Sequence, residues 1–151
     1  MSRATFFDCF AGKEAVVFDQ DPEARERRLA LLEARTPGEP LWNAPTAVMI
    51  EVNEGLRDRM PLMRRLKRQT PALARAGQAS GDQLRTDLQN WILAQSDGDD
   101  ALTAILQLNL ALAASGTAYQ SWKADEDFDT YLRRLRQCLE QAGAGVAFPA
   151  P

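Results

Sequence analysis

Apolar residues recur along most of the chain at spacings of three and four, the period of helices that bury one face. Asp21-Pro22 gives the first start signal, a capping side chain followed by proline at the first helical position. Glu23 adds an acid that suits the positive end of the helix dipole. This helix is expected to run to about Arg35, with Leu29 and Leu32 on its buried side. Thr36-Pro37-Gly38-Glu39-Pro40 must end it, because neither the prolines nor the glycine continue a helix well. A second helix is predicted from near Pro45, carrying Met49, Val52, Leu56 and Met60. Pro61 then kinks the chain or opens a new helix in which Leu62, Met63 and Leu66 are apolar. Thr70-Pro71 repeats the cap-plus-proline signal and starts a short alanine-rich helix ending at Gly77. A separate pattern, with Leu84, Leu88, Trp91 and Ile92 on one stripe, runs from Ser80 to Gln95 and breaks at Ser96-Asp97-Gly98-Asp99.

The segment from Ala101 to Ala114 is apolar nearly all round, and a helix of that kind is enclosed by protein. It is expected to be either the central helix of a bundle or one side of a homodimer interface, with Gly116 ending it. A last helix carries Phe128, Tyr131, Leu132, Leu135, Cys138 and Leu139 on one face. Residues 1–20 form an arm or short element whose Phe6, Phe7 and Phe10 either dock on the bundle or seek another chain. Residues 143–151 read as a loose tail. The expected fold is therefore all-α: a single-domain bundle over residues 21–142, with five or six helices around a central apolar helix at about 101–114.

Composition agrees with that pattern. Alanine (24) and leucine (19) dominate, whereas valine and isoleucine together number eight, which favours helix over strand. Hydrophobic residues make up 45% of the 151-residue chain and charged residues 26%, an ordinary globular balance. No apolar run reaches the ~18–20 residues of a membrane span, and Asp8, Lys13 and Glu14 interrupt any secretory signal. With Cys9 and Cys138 far apart, the expected compartment is the reducing cytoplasm. The excess of arginine (15) over lysine (3) matches a GC-rich bacterial genome.

Chemistry is constrained chiefly by what is missing. Without histidine the chain lacks the commonest general base, metal ligand and physiological pH switch. Gly12-Lys13 resembles the end of a phosphate loop, but the earlier glycine is absent and Glu14 replaces the Ser or Thr. Asp125, Asp127 and Asp129 imitate a calcium loop, but Thr130 and Arg136 stand where its glycine and bidentate glutamate belong. No metal, cofactor or catalytic cluster is expected, and the carboxylates read as solvated helix starts.

Charge is unevenly distributed although the whole carries only −3. The segment from Arg57 to Arg75 has a net charge of +6, and that from Asp97 to Asp129 a net charge of −6. On a wheel of ~100° per residue, Arg64, Arg65 and Arg68 share one sector, with Leu62 and Leu66 pointing roughly the other way. Three roles fit such a basic helix. It is a solvated face paired within the chain, a docking surface for an acidic protein, or a phosphate-contacting surface. Trp42, between two prolines, either packs over the bundle or anchors a partner.

The leading expectation is a non-enzymatic interaction protein, such as an adaptor, chaperone or inhibitor. It would bind a protein partner through Arg57, Arg64, Arg65, Arg68 and Trp42. The alternative is a nucleic-acid-binding regulator using the basic segment 57–68, and a third is a small carboxylate-dependent enzyme.

Overall fold

The computed structural model describes residues 22–35, 39–69, 71–96 and 100–145. Those residues form six helices and no strand: α1 (Pro22–Glu33), α2 (Asn43–Gly55), α3 (Met60–Gln69), α4 (Pro71–Ala94), α5 (Asp100–Ser121) and α6 (Phe128–Gly143). The expected all-α bundle is correct, and α5 is its centre, packed most extensively on α6, then on α4, and also on α2. Residues 1–20 and the end of the tail, and with them Cys9 and Phe6, Phe7 and Phe10, lie outside the described residues.

Local chemistry explains where the helices begin. Pro22 and Pro71 stand at first helical positions, where a missing N–H costs nothing. Asp127 caps α6 from an extended conformation (φ −72°, ψ 166°) and accepts the Thr130 N–H at 2.7 Å, which satisfies one of the helix's orphan donors. At the other end Gly145 adopts a positive φ of 78°, a left-handed conformation that favours glycine and stops the helix.

Two expected breaks are absent. One continuous helix, α4, runs through Gly77 and Gly81, and α5 continues past Gly116 to Ser121. A helical glycine costs ~1 kcal/mol relative to alanine, which weakens a helix without stopping it. The extra turns of α5 also bury Ala118. Extended in this way, α5 becomes long and apolar enough to cross a membrane, by length and composition, which the 101–114 segment was not.

The core is one cluster. Small residues on the inner face of α5 (Ala104, Ala111, Ala114 and Ala118, with Leu108) let α4 and α6 approach closely. Leu88 and Ile92 enter from α4, and Tyr131, Leu132, Leu135 and Leu139 from α6. From α2 come Ala44, Val48 and Met49, and from α1 Leu32. The cluster also contains a hydrogen-bonded polar chain. The Tyr131 hydroxyl donates to Asn53 Oδ1 at 2.6 Å, and the Asn53 amide donates to the Met49 carbonyl at 2.6 Å. Such satisfaction is what makes burial of these groups tolerable.

Full enclosure of the central helix does not occur. Leu102, Leu106 and Leu110 are 77%, 57% and 37% exposed, so the outer face of α5 is an open leucine ridge. Six helices of this length cover its alanine side and leave the leucine side to solvent.

Candidate interaction cleft

A cleft of about 730 Å³ opens between α3 and the turn joining α5 to α6. Its α3 wall carries Leu62, Arg64, Arg65 and Arg68, and the facing wall carries Trp122, Lys123, Glu126 and Phe128. Three of the expected arginines are thus brought together, next to the acidic segment.

The facing wall is rigid for identifiable reasons. Trp122 is only 3% exposed and donates its indole N–H to the carbonyls of Glu126 and Asp127, each at 3.1 Å. Its ring packs among those of Tyr119, Phe128 and Tyr131, with centroids 6.5, 6.0 and 5.1 Å away, the spacing at which aromatic pairs attract. Glu126 accepts from both terminal nitrogens of Arg134 (2.5 and 2.6 Å) and from the Lys123 N–H (2.7 Å). Those hydrogen bonds, Arg134's first, lower its carboxyl to a pKa of about 2, because they favour the charged form. The Asp127 carboxyl is lowered too, chiefly by its bonds with Thr130.

The α3 wall inverts the expected amphipathic pattern. Met60 is buried, Met63, Arg64 and Lys67 are partly buried, and Leu62 is 47% exposed beside Arg65. Arg64 is turned inward because its guanidinium has better partners there than in water. It donates to the Trp122 carbonyl and, at 3.2 Å, to the Lys123 carbonyl. It also lies over the Trp122 ring at 4.7 Å and the Tyr119 ring at 5.6 Å, within reach of a cation–π attraction. Burial alone lowers the pKa of Lys67.

The expected binding residues therefore separate into three groups. Arg64 pins α3 to the opposite wall. Arg57 sits at the cleft's edge, paired with Asp129 at 2.7 Å and lying 5.3 Å from the Phe128 ring. Arg65 and Arg68 are exposed in the cleft, with no ion-pair partner among the described residues. Trp42 joins none of these, because it is half-buried against Gly143, at the opposite end of α6. The basic and acidic segments meet within one chain, through Arg57 and Arg64. A further contact, Arg136 to Glu54, ties α6 to α2.

A second charged cluster was invisible in the sequence. Asp87 of α4 is 4% exposed and accepts three bonds from Arg25 (2.8, 3.1 and 3.3 Å) and one from Gln83 (2.9 Å), with Arg28 at 3.8 Å. Its pKa is lowered, first by the Arg25 hydrogen bonds. Nothing in the local pattern at Asp87 distinguishes it from a solvated helix acid. Its arginine partners lie on α1, so this cluster ties α1 to α4. Among the described residues no group of three or more acidic or cysteine side chains could hold a metal ion. Cys138 is a free, partly buried thiol packed on the core. Compared with known proteins, the chain matches no family model, no curated sequence and no solved structure.

Proposed function

We propose that this chain is a non-enzymatic cytoplasmic interaction protein that takes an acidic, partly apolar segment of a protein partner into the cleft between α3 and the α5–α6 turn. One observation carries the reading. Of the carboxylates lining the cleft, Glu126 and Asp127 are already engaged by Arg134 and Thr130 and only Asp58 is exposed without such a contact, whereas Arg65 and Arg68 project into it without ion-pair partners among the described residues, beside exposed Leu62. An arginine pair next to apolar surface matches a peptide in which acids alternate with leucine or phenylalanine. Complementary charge would fix its register and speed its encounter. An adaptor, chaperone or inhibitor would use such a surface.

Fluorescence anisotropy with a labelled Glu/Leu/Phe peptide, run against a labelled DNA duplex of equal length, tests this. Binding of the peptide, weakened at least roughly tenfold by R65E/R68E, supports the proposal. Tighter binding of the duplex, with affinity falling steeply as salt rises, replaces it with the nucleic-acid-regulator alternative. Binding of neither probe removes the cleft from consideration.

A further inference from the structure

The chain carries a candidate ligand for its own cleft. Resting on the reading of that cleft as a site for an acidic, partly apolar segment, we infer that Phe6-Phe7-Asp8-Cys9-Phe10 of the same chain docks there. It acts as an autoinhibitory contact that a partner's segment must displace. The first argument is chemistry. Bound as an extended strand, the segment presents Phe6, Asp8 and Phe10 on one side, because alternate side chains of a strand share a face. That places an acid between two aromatic rings, the alternation the cleft matches. Arg65 and Arg68 are about one helical turn apart and both line the cleft, so their guanidinium groups can converge on one carboxylate. Pro61 and exposed Leu62, on the same wall, offer the rings apolar surface.

The second argument is reach. Helix α1 starts beside the middle of α4, since Arg25 in its first turn donates to Asp87 at 2.8 Å. Asp87 lies sixteen residues along α4 from Pro71, a rise of ~24 Å, and Arg68 is three residues before Pro71. With an interhelix gap of ~10 Å and the first turn of α1 added, Pro22 is on the order of 40 Å from Arg68. Fourteen residues separate Asp8 from Pro22, an extended span of ~46–50 Å. Asp8 therefore reaches the cleft without leaving its own chain. Glu14, Asp19 and Asp21, all nearer to Pro22, do not have that reach.

The third argument is the competing surface. The exposed ridge of Leu102, Leu106 and Leu110 could take the rings, but α5 has no charged side chain after Asp100 to meet Asp8. The cleft offers both kinds of contact in one place. A tethered segment needs little intrinsic affinity, because its linker holds it at roughly millimolar effective concentration. Docked for about nine-tenths of the time, it weakens an outside ligand roughly tenfold. A partner bearing several acids overcomes that threshold, whereas one bearing a single acid does not.

A nitroxide attached to Cys9 in full-length C138S, with backbone amides read by NMR, locates the segment. Amides of residues 62–68 and 122–124 should broaden and should recover when the nitroxide is reduced. R65E/R68E should remove the effect. The same pattern is expected with the label moved to position 4 in A4C/C9S/C138S, which leaves Phe6 to Phe10 unburdened by it. In fluorescence anisotropy, F6S/D8N/F10S should bind the labelled Glu/Leu/Phe peptide roughly tenfold more tightly than wild type. Absence of broadening at the cleft overturns the inference, as does broadening centred on Leu102 to Leu110. Broadening that passes between separately labelled copies overturns a contact within one chain. Equal peptide affinity for wild type and F6S/D8N/F10S overturns the inhibition and leaves the partner reading standing. A peptide that binds neither form, with the broadening present, removes the partner reading and the inhibition with it.

Discussion

Helices α3 and α6 look alike in sequence, both strongly amphipathic and both rich in arginine, yet they are held in place by different physics. Five large side chains of α6 (Phe128, Tyr131, Leu132, Leu135 and Leu139) are buried, so its arginines are free to cap and brace its own turn. Of the α3 side chains described, Met60 alone is buried, and an arginine inserted among aromatic rings holds the helix to the opposite wall. Apolar burial makes α6 part of the cooperative core. Held by fewer buried side chains and a few directional contacts, α3 is expected to open locally at lower cost than the core. The cleft lies between a deeply packed wall and a more lightly packed one.

The largest expected effect tests the fixed side. Leu135→Ala should cost about 2–5 kcal/mol in urea unfolding, because the site is fully buried and packed. Leu62→Ala on α3 should stay within about 0.5 kcal/mol, as expected for a surface substitution, since that side chain is half exposed. Equal losses would erase the contrast between the helices.

Next comes the buried polar chain. Tyr131→Phe should cost about 1–3 kcal/mol by the same measurement, because it leaves Asn53 Oδ1 buried without its donor. Arg64→Ala should have a smaller and local effect. Amide exchange over residues 60–69 should accelerate roughly tenfold, the equivalent of about 1.4 kcal/mol, while protection in α6 is unchanged. Loss of protection in both helices together would mean that α3 belongs to the core unit.

The smallest effect is a pH response of the turn. The Glu126 pKa is depressed from 4.5 to about 2. Its contribution is therefore fully present above about 4.5 and is lost as pH falls through about 2. Trp122 fluorescence should report loosening of the α5–α6 turn in that window. Glu126→Gln should remove the Glu126 share of this pH dependence, leaving that of the Asp127 cap, and leave the turn already loosened at neutral pH. The Asp87 carboxyl, also depressed, acts with the same sign at the α1–α4 contact.

Much of the fold was written locally. Cap-plus-proline pairs at Pro22 and Pro71 placed two helix starts, and the leucine spacing of α6 identified its buried face. Gly77 and Gly116 misled because a helical glycine costs only ~1 kcal/mol relative to alanine, which weakens a helix without ending it. The orientation of α3 was unreadable for another reason. A helical wheel ranks side chains by polarity, whereas Arg64 is drawn inward by two carbonyls and two rings on a distant turn. For the same reason the arginine cluster was visible but the opposite wall of the cleft was not. Asn53 and Asp87 gave no signal, since each is polar in a polar-looking stretch and its decisive partners come from other helices.

The seat of Trp42 has a consequence for how this sequence can vary. A Cβ at Gly143 would overlap the indole Nε1 of Trp42, so the last turn of α6 is a keyway cut to that ring. Positions 42 and 143 cannot drift independently. A side chain gained at 143 must be matched by a smaller residue at 42, or Trp42 and the start of α2 will be pushed off the end of α6. Among relatives of this chain the two positions should therefore change as a pair, giving a signature by which the fold can be traced where overall similarity has faded.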